Sequence, residues 1–587
     1  MAGRRAAESG DGSPKGRDSL VRVALGKEPP DTVVVAGRVF DAVSGQFVPE
    51  RSLWVKDGRI ARVAAADEPV ASGVEVLDLS DSTLVPGLID GHSHLIRIFI
   101  PEFVRALIPT GVTSVVLETM EYGPTHGIDG TRLLIGATRG QPVRVFHLAP
   151  ALCGLTEAEE EAALTVEQLD ELLSDPQCLG LGEVYWGNAL HDGPSGERVR
   201  ALVERTLAAG KVAEGHTAGA KGARLDAYTA LGFSSCHEPI SVEEALEVYR
   251  RGYLVMLREG GIRRDLEQLR PLFDMDLDFR RFALVTDSVD PERLETWGYL
   301  DEVVREALAL GIDPAIVYRM TGANVAEHFH RGSDLGYLAP GRLADIVAIP
   351  APDDFRPTVV MVGGRTIFER GTVLAEPGQV AIDPTFLRTL DFDVDRALAA
   401  AGPPPALPAV RPVRVIEYVS NLVTRETILS PAETVRADLL PLLALERTRG
   451  EAGFWGLAKG LGLTRGAYAA TTSWDSPVLL AVGPDLVALR TAVARLVETG
   501  GGVVFAEGDH VVAESLAPIC GVATLESAAS VRADLRALID ALRDAGIAWE
   551  DPFLAVDTLT TPAIPHLRIS HRGYVRLKDR ALLPLWA

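Results

Sequence analysis

Cysteine is scarce in this chain. There are four in 587 residues, Cys153, Cys178, Cys236 and Cys520, and no two stand in a CxxC spacing. That excludes a disulfide framework and a thiolate zinc knuckle. Basic residues are outnumbered, 58 Lys and Arg against 81 Asp and Glu, and a formal charge of −23 argues against nucleic acid as a partner. No uninterrupted apolar run reaches the roughly 20 residues of a membrane span, so no membrane partner is expected. Residues 1–20 are polar and lack the apolar core of a signal peptide, which makes the cytoplasm the expected compartment. The chain is rich in material for cores: 47% of its residues are hydrophobic. At roughly 100–200 residues per domain, its length suggests about three or four domains.

The stretch Leu84-Val85-Pro86-Gly87-Leu88-Ile89-Asp90-Gly91-His92-Ser93-His94 organises the rest. Two apolar runs around a Pro-Gly turn predict a buried strand, and its end carries two histidines at i and i+2, on one face. Ahead of it, residues 1–30 hold little to bury and are expected to be a disordered tail. Short strands are predicted over 32–36, 52–55, 59–64 and 75–78, with Lys56-Asp57-Gly58 as a hairpin turn. Beyond His94, helix-like and strand-like runs alternate up to Asp287, the pattern of a parallel sheet with helical crossovers, closed or open. Polar residues fall repeatedly just past the strand ends, where a (β/α) barrel builds its active site. Short strands over 344–349, 358–362 and 365–369 can complete the β-layer begun before the alternation. Residues 386–412, rich in Pro and Ala towards their end, read as a linker, and 413–587 as a further α/β region. The runs 440–445 and 535–542 could be partner-binding helices, although core packing explains both.

Six strand-end residues carry the chemistry: His92, His94, Glu183, His216, His237 and Asp287. Four imidazoles and two carboxylates suffice for two divalent cations. His92, His94 and Asp287 would hold one, His216 and His237 the other, and Glu183 would bridge. Water shared by two cations loses its proton near neutral pH and becomes a nucleophile, and Asp287 could take that proton and pass it to a leaving group. Each residue also has a structural reading. Glu183 could cap a turn, His216 could be a loop histidine, His237 could form a surface pair with Glu238, and Asp287 could be an N-cap. The other histidines lack comparable placement and are assigned to structure or surface.

The order of these residues resembles the amidohydrolase superfamily: His-x-His after strand one, a carboxylate on strand four, histidines on strands five and six, aspartate on strand eight. Glu183 takes the place of the carbamylated lysine found in many members. More narrowly, the chain from about residue 32 onward resembles the adenine deaminase family. The resemblance is carried by residues 85–94, 180–183, 215–219, 235–238, 255–260, 334–345, 467–477 and 551–553. It implies a (β/α)8 metal-dependent hydrolase barrel over 86–340, a flanking β-sandwich composed of 31–85 and 341–385, and a C-terminal domain of the family's own kind over 413–587. It implies two divalent metal ions (manganese, iron or zinc) and a homodimer or larger homo-oligomer. The implied reaction is hydrolytic deamination of adenine or a related amino-substituted azaheterocycle by a metal-bridging hydroxide, with Glu183 and Asp287 catalytic.

Two motifs depart from the family. Its Asp-Pro-His-Glu run is here Glu118-Thr119-Met120-Glu121, and its His-Asp-Ser-His-Asn run is Trp474-Asp475-Ser476-Pro477-Val478. Carried over by position, substrate contact falls to Met120, Glu121, Trp474, Asp475 and Ser476. Losing imidazole and amide groups there points to a more apolar or differently shaped ring. Two alternatives stand beside the deaminase. One is hydrolysis of a cyclic amide or other non-peptide C–N bond, which releases no ammonia. The other is a non-catalytic, metal-stabilised scaffold, which binds metal without turnover.

Overall fold

The computed structural model describes residues 14–473, 475–564 and 566–587. Its first element corrects an expectation. Within the supposed disordered tail, Pro14–Ala24 is a helix. Leu20 and Val23, three residues apart and so on one face, are buried with Val33, Trp54 and Ala61. Two anchored apolar residues are enough to seat a short helix on a formed sheet.

That sheet comes from both sides of the barrel. β1 (Thr32–Asp41), β2 (Gln46–Lys56), β3 (Arg59–Ala65) and β4 (Glu75–Pro86) precede it. The barrel region holds β5 (Leu88–Ser93), the short β6 (Arg97–Ile98), β7 (Val112–Leu117), β8 (Arg144–Ala149) and β9 (Cys178–Tyr185). It continues with β10 (Val212–His216), β11 (Ser235–Cys236), β12 (Leu254–Arg258) and β13 (Phe282–Val285). β14 (Ile346–Ile349), β15 (Val359–Val362), β16 (Arg365–Glu369) and β17 (Thr372–Val373) follow. The flanking sheet runs β17-β16-β15-β14-β4-β1-β2-β3. It curls on itself: the Ile60 N–H donates to Arg342 O at 2.9 Å and the Ala344 N–H to Gly58 O at 2.9 Å. Val34, Leu53, Ile60, Leu84, Ile346 and Met361 fill the space enclosed.

The eight strands from β5 to β13, β6 excepted, are parallel where they pair and form the ladders β5-β7-β8-β9-β10 and β11-β12-β13. Single bonds link the two ladders. The Ser234 N–H donates to Ala213 O, and the Asp287 N–H to His92 O, each at 3.1 Å. Alternate residues, among them Ile89, Val116, Leu148, Leu179, Val212, Leu254 and Ala283, pack the interior, as a barrel core requires. The strands' C-terminal ends therefore share one face, and the polar residues gather there.

The expected linker is also partly structured. Val394–Ala401 is a helix, its start capped by Asp393, which accepts the Arg396 N–H at 2.8 Å. The alanine-rich composition read as linker is equally a strong helix former, and Ala397 is buried with Leu443, Leu445 and Trp455. The C-terminal region holds β18 (Val413–Tyr418), β19 (Thr424–Leu429), β20 (Leu439–Glu446), β21 (Gly453–Lys459), β22 (Ala467–Ala470), β23 (Val478–Val482), β24 (Gly502–Glu507) and β25 (His510–Leu516). They form one sheet ordered β19-β18-β21-β20-β23-β22-β24-β25. The run 440–445 thus lies in a strand, while Leu535, Leu538 and Leu542 bury one face of the helix Ala528–Asp544. β26 (Ala523–Thr524) pairs in parallel with β6, fastening this region beside the barrel mouth just after His94. No helix among the described residues is long and apolar enough to cross a membrane.

Candidate metal centre

All six strand-end residues converge. His92 lies on β5, with His94 one residue past the strand. Glu183 is on β9, His216 closes β10, His237 follows β11 and Asp287 follows β13. Each is less than one tenth exposed. Local sequence sets their aim. Gly182 has no Cβ because one built there would meet Glu118 Oε2 at 2.2 Å, so glycine lets the Glu118 carboxylate lie under the strand. Glu118 Oε1 then accepts the Glu183 N–H at 3.0 Å. Asp287 has φ of +58°, a left-handed conformation uncommon outside glycine, held by its N–H bond to His92 O. Behind the pair, Asp90 accepts the Thr286 hydroxyl at 2.6 Å and the His92 N–H at 3.3 Å.

Distances divide the cluster into neighbouring groups. His92 Nε2 lies 3.3 Å and His94 Nε2 3.7 Å from Asp287 Oδ1. Glu183 spans the centre, with Oε1 3.6 Å from His94 Nε2 and Oε2 3.3 Å from His237 Nε2. His92 and His237 stack with ring centroids 4.0 Å apart. His216 and His237 meet on a carboxylate that the sequence reading had placed in an alternative surface pair: Glu238 Oε1 lies 3.3 Å and 3.4 Å from their Nε2 atoms. The ligand atoms of His92, His94 and Asp287, of His92, Glu183 and His237, and of His216, His237 and Glu238 fall close enough for each trio to surround one ion.

Arg258 was also missed. It ends β12, is buried, and places Nη1 2.6 Å from Glu238 and 3.1 Å from Asp287 Oδ2. The signal was a charged residue terminating the apolar run Leu254-Val255-Met256-Leu257. Burial alone would raise the Asp287 carboxyl, but the adjacent His92 imidazole and the charge of Arg258 outweigh it and hold it at about 2. Burial, then the nearby His92 and Arg258, push His237 well below the usual histidine range, and burial lowers His216 as well. Both are therefore neutral imidazoles, the form that binds metal.

The residues fit divalent cations. Neither His92 ring nitrogen has a hydrogen-bond partner among the described residues, and neither does the buried Glu183 Oε2. Unpaired polar atoms at this depth are costly unless something absent from the protein itself satisfies them. Imidazole and carboxylate donors suit zinc, iron or manganese. Glu121 Oε1 lies 2.6 Å from His94 Nδ1, the second-layer carboxylate that orients a ligand histidine and fixes its tautomer.

Four of the five residues expected at the substrate stand back from the cavity over this centre. The inner cavity, about 210 Å³, is walled on one side by His94, Glu183, His216, His237, Glu238, Arg258 and Asp287, and on the other by Leu422, Val423, Thr558, Ala563 and Ile564. Met120, Glu121, Asp475 and Ser476 are not in its wall. All four are buried, one layer back. Glu121 is taken up by His94. Met120 Sδ lies 3.7 Å from the Tyr185 hydroxyl, which donates to Asp475 Oδ2 at 2.9 Å. Thr561 donates to the same Asp475 oxygen. Burial raises Asp475 to about 6 against these two hydroxyls. Trp474 lies outside the described residues.

Residues 83–367 match the amidohydrolase family, and residues 418–581 match the adenine deaminase C-terminal domain. Among curated relatives, the adenine deaminase of Moorella thermoacetica is 33% identical over 577 residues, covering 95% of this chain and 96% of that protein. Adenine deaminase 2 of Carboxydothermus hydrogenoformans is 32% identical, covering 96% and 99%. The adenine deaminase of Dehalococcoides mccartyi strain CBDB1 is 30% identical, covering 96% and 98%.

Proposed function

The chain belongs to the adenine deaminase family of amidohydrolases, and from that premise we propose that it hydrolyses the exocyclic amine of adenine or a related amino-substituted azaheterocycle. Water adds to the amine-bearing ring carbon, ammonia leaves, and the ring keeps a carbonyl. The observation that carries this reading is the position of Glu183, one oxygen towards His94 and the other towards His237. It makes a single carboxylate common to two groups of histidines. Two divalent cations held by His92, His94, Glu183, His216, His237 and Asp287 would supply activated water at neutral pH and polarise the ring's C=N bond.

The remaining roles belong to side chains. Asp287 is ionised, with Oδ2 tied to Arg258 and Oδ1 facing the two histidines of β5. It takes the proton of the attacking water and delivers it to the departing amine, a general acid–base role worth about 10²–10⁴-fold. Arg258 holds that carboxylate in place and links it to Glu238. Leu422, Val423 and Ile564, brought in by the C-terminal region, supply an apolar wall opposite the histidines against which the ring would pack. Manganese, iron or zinc suits the donors, and a cytoplasmic homo-oligomer is the assembly proposed. The test is ammonia release from adenine and a panel of aminated heterocycles by metal-replete protein. No ammonia from any of them, with metal bound, would sink the deaminase reading.

A further inference from the structure

A second cavity adjoins the first. It measures about 350 Å³ and shares His216, Ala218, Gly219 and Ala563 with the inner one, so the two meet beside His216. The inner cavity falls below the ~300–1,000 Å³ of sites that hold drug-sized ligands, as suits a bare bicyclic base. The outer one has no task in the deamination of such a base. Its wall includes Tyr185 and Trp186, and Arg224, Arg576, Lys578 and Arg580 line it against one carboxylate, Glu426. In a chain of formal charge −23, four cations against Glu426 and, behind two of them, Asp579 and Glu160 still leave a local excess of positive charge. A cleft with low-dielectric walls focuses that potential on whatever enters.

Two of the cations are already engaged. Arg576 pairs with Asp579 at 2.8 Å and faces Glu426 at 3.7 Å. Arg580 donates to Gly154 O at 3.1 Å and Leu155 O at 3.3 Å and lies 3.8 Å from Glu160. Arg224 and Lys578 have no ion-pair partner among the described residues, and Arg224 lies over the Trp186 ring, 5.4 Å from its centroid.

We propose that the outer cavity is a subsite for an anionic substituent, carboxylate or phosphate-like, carried by the ring that is deaminated in the inner cavity. The identity of the ring rests on the deaminase reading. The subsite rests on the cavity and its charges. Guanidinium and ammonium donors bind such anions through short charge-assisted hydrogen bonds.

The test uses full-length, metal-replete protein and adenines bearing, at N9 in one series and C2 in another, equal arms ending in carboxylate, phosphonate or neutral carboxamide. Calorimetry reads binding and ammonia release reads turnover. In one series, an anionic arm is expected to bind at least about tenfold tighter than the carboxamide, the worth of one hydrogen bond to a charged group. The better of carboxylate and phosphonate identifies the anion. Arg224→Gln combined with Lys578→Gln, both at exposed positions, is expected to abolish the preference, with the melting temperature as the control for folding. Equal binding of anionic and neutral arms in both series, or a preference that survives the double substitution, overturns the subsite. Ammonia from adenine without any anionic preference removes the subsite and leaves the deaminase reading. An anionic preference in binding with no ammonia from any compound does the reverse.

Discussion

Glu121→Gln keeps the shape of the side chain behind His94 and removes its charge. Both residues are buried, and their contact is 2.6 Å. A carboxylate in that position raises the basicity of a ligand histidine and fixes its tautomer, and its loss costs about 10–100-fold in metal affinity. At 1.36 kcal/mol per factor of ten this is about 1.4–2.7 kcal/mol. The amide oxygen can still accept the Nδ1–H, so glutamine should fall near the lower end. Glu121→Ala, which leaves Nδ1 unsatisfied, should fall near the upper end. The assay is chelator competition with manganese, iron(II) and zinc, followed by ammonia release as metal is added back. Saturating metal should restore most of the rate in Glu121→Gln. Unchanged metal affinity together with a rate that no metal concentration restores would refute the reasoning and return Glu121 to the substrate contact its sequence position suggested.

Gly182→Ala puts a methyl into Glu118 Oε2. The expected loss is about 1–3 kcal/mol in urea unfolding, accompanied by weaker metal binding because Glu118 supports the Glu183 backbone. Wild-type stability would show that the carboxylate has room to move. Burial lifts the Glu159 carboxyl from 4.5 to about 8. The folded chain therefore keeps a proton that the unfolded chain has already lost, and stability falls as pH rises through that window. The loss is at most about 5 kcal/mol by about pH 8, at 1.36 per unit. Urea midpoints at pH 5.5, 7 and 8.5 should fall in wild type and fall less steeply in Glu159→Gln, the remaining slope coming from other buried carboxyls such as Glu259; parallel slopes would contradict this. Tyr185→Phe removes one of the two hydroxyls on buried Asp475 and should cost about 1–3 kcal/mol.

The convergence of the candidate ligands was legible because strand ends announce themselves. The buried runs in 84–287 are mainly apolar, so a histidine or carboxylate at or near the end stands out, and a parallel barrel brings those ends to one face. Glu238 was harder to read. Consecutive strand residues point to opposite faces, and only the chain's turn after Cys236 brings Glu238 beside His237. Arg258 was visible as a charge ending an apolar strand, yet its partners Glu238 and Asp287 are distant in sequence. Depth was not legible at all. Motif position placed Met120, Glu121, Asp475 and Ser476 near the site, but only packing shows them one layer behind the cavity wall. Composition misled twice. The alanines before the proline-rich stretch make a helix, and residues 14–24 fold because a sheet formed elsewhere covers Leu20 and Val23.

Ammonia release from adenine by wild type and Asp287→Asn, at matched metal content, tests the central claim most directly. Wild type should release one ammonia per carbonyl product formed. Asp287→Asn should lose about 10²–10⁴-fold in rate while still binding metal and melting cooperatively. A variant as fast as wild type, or a wild type that binds metal and releases no ammonia from adenine or any aminated azaheterocycle, would contradict it.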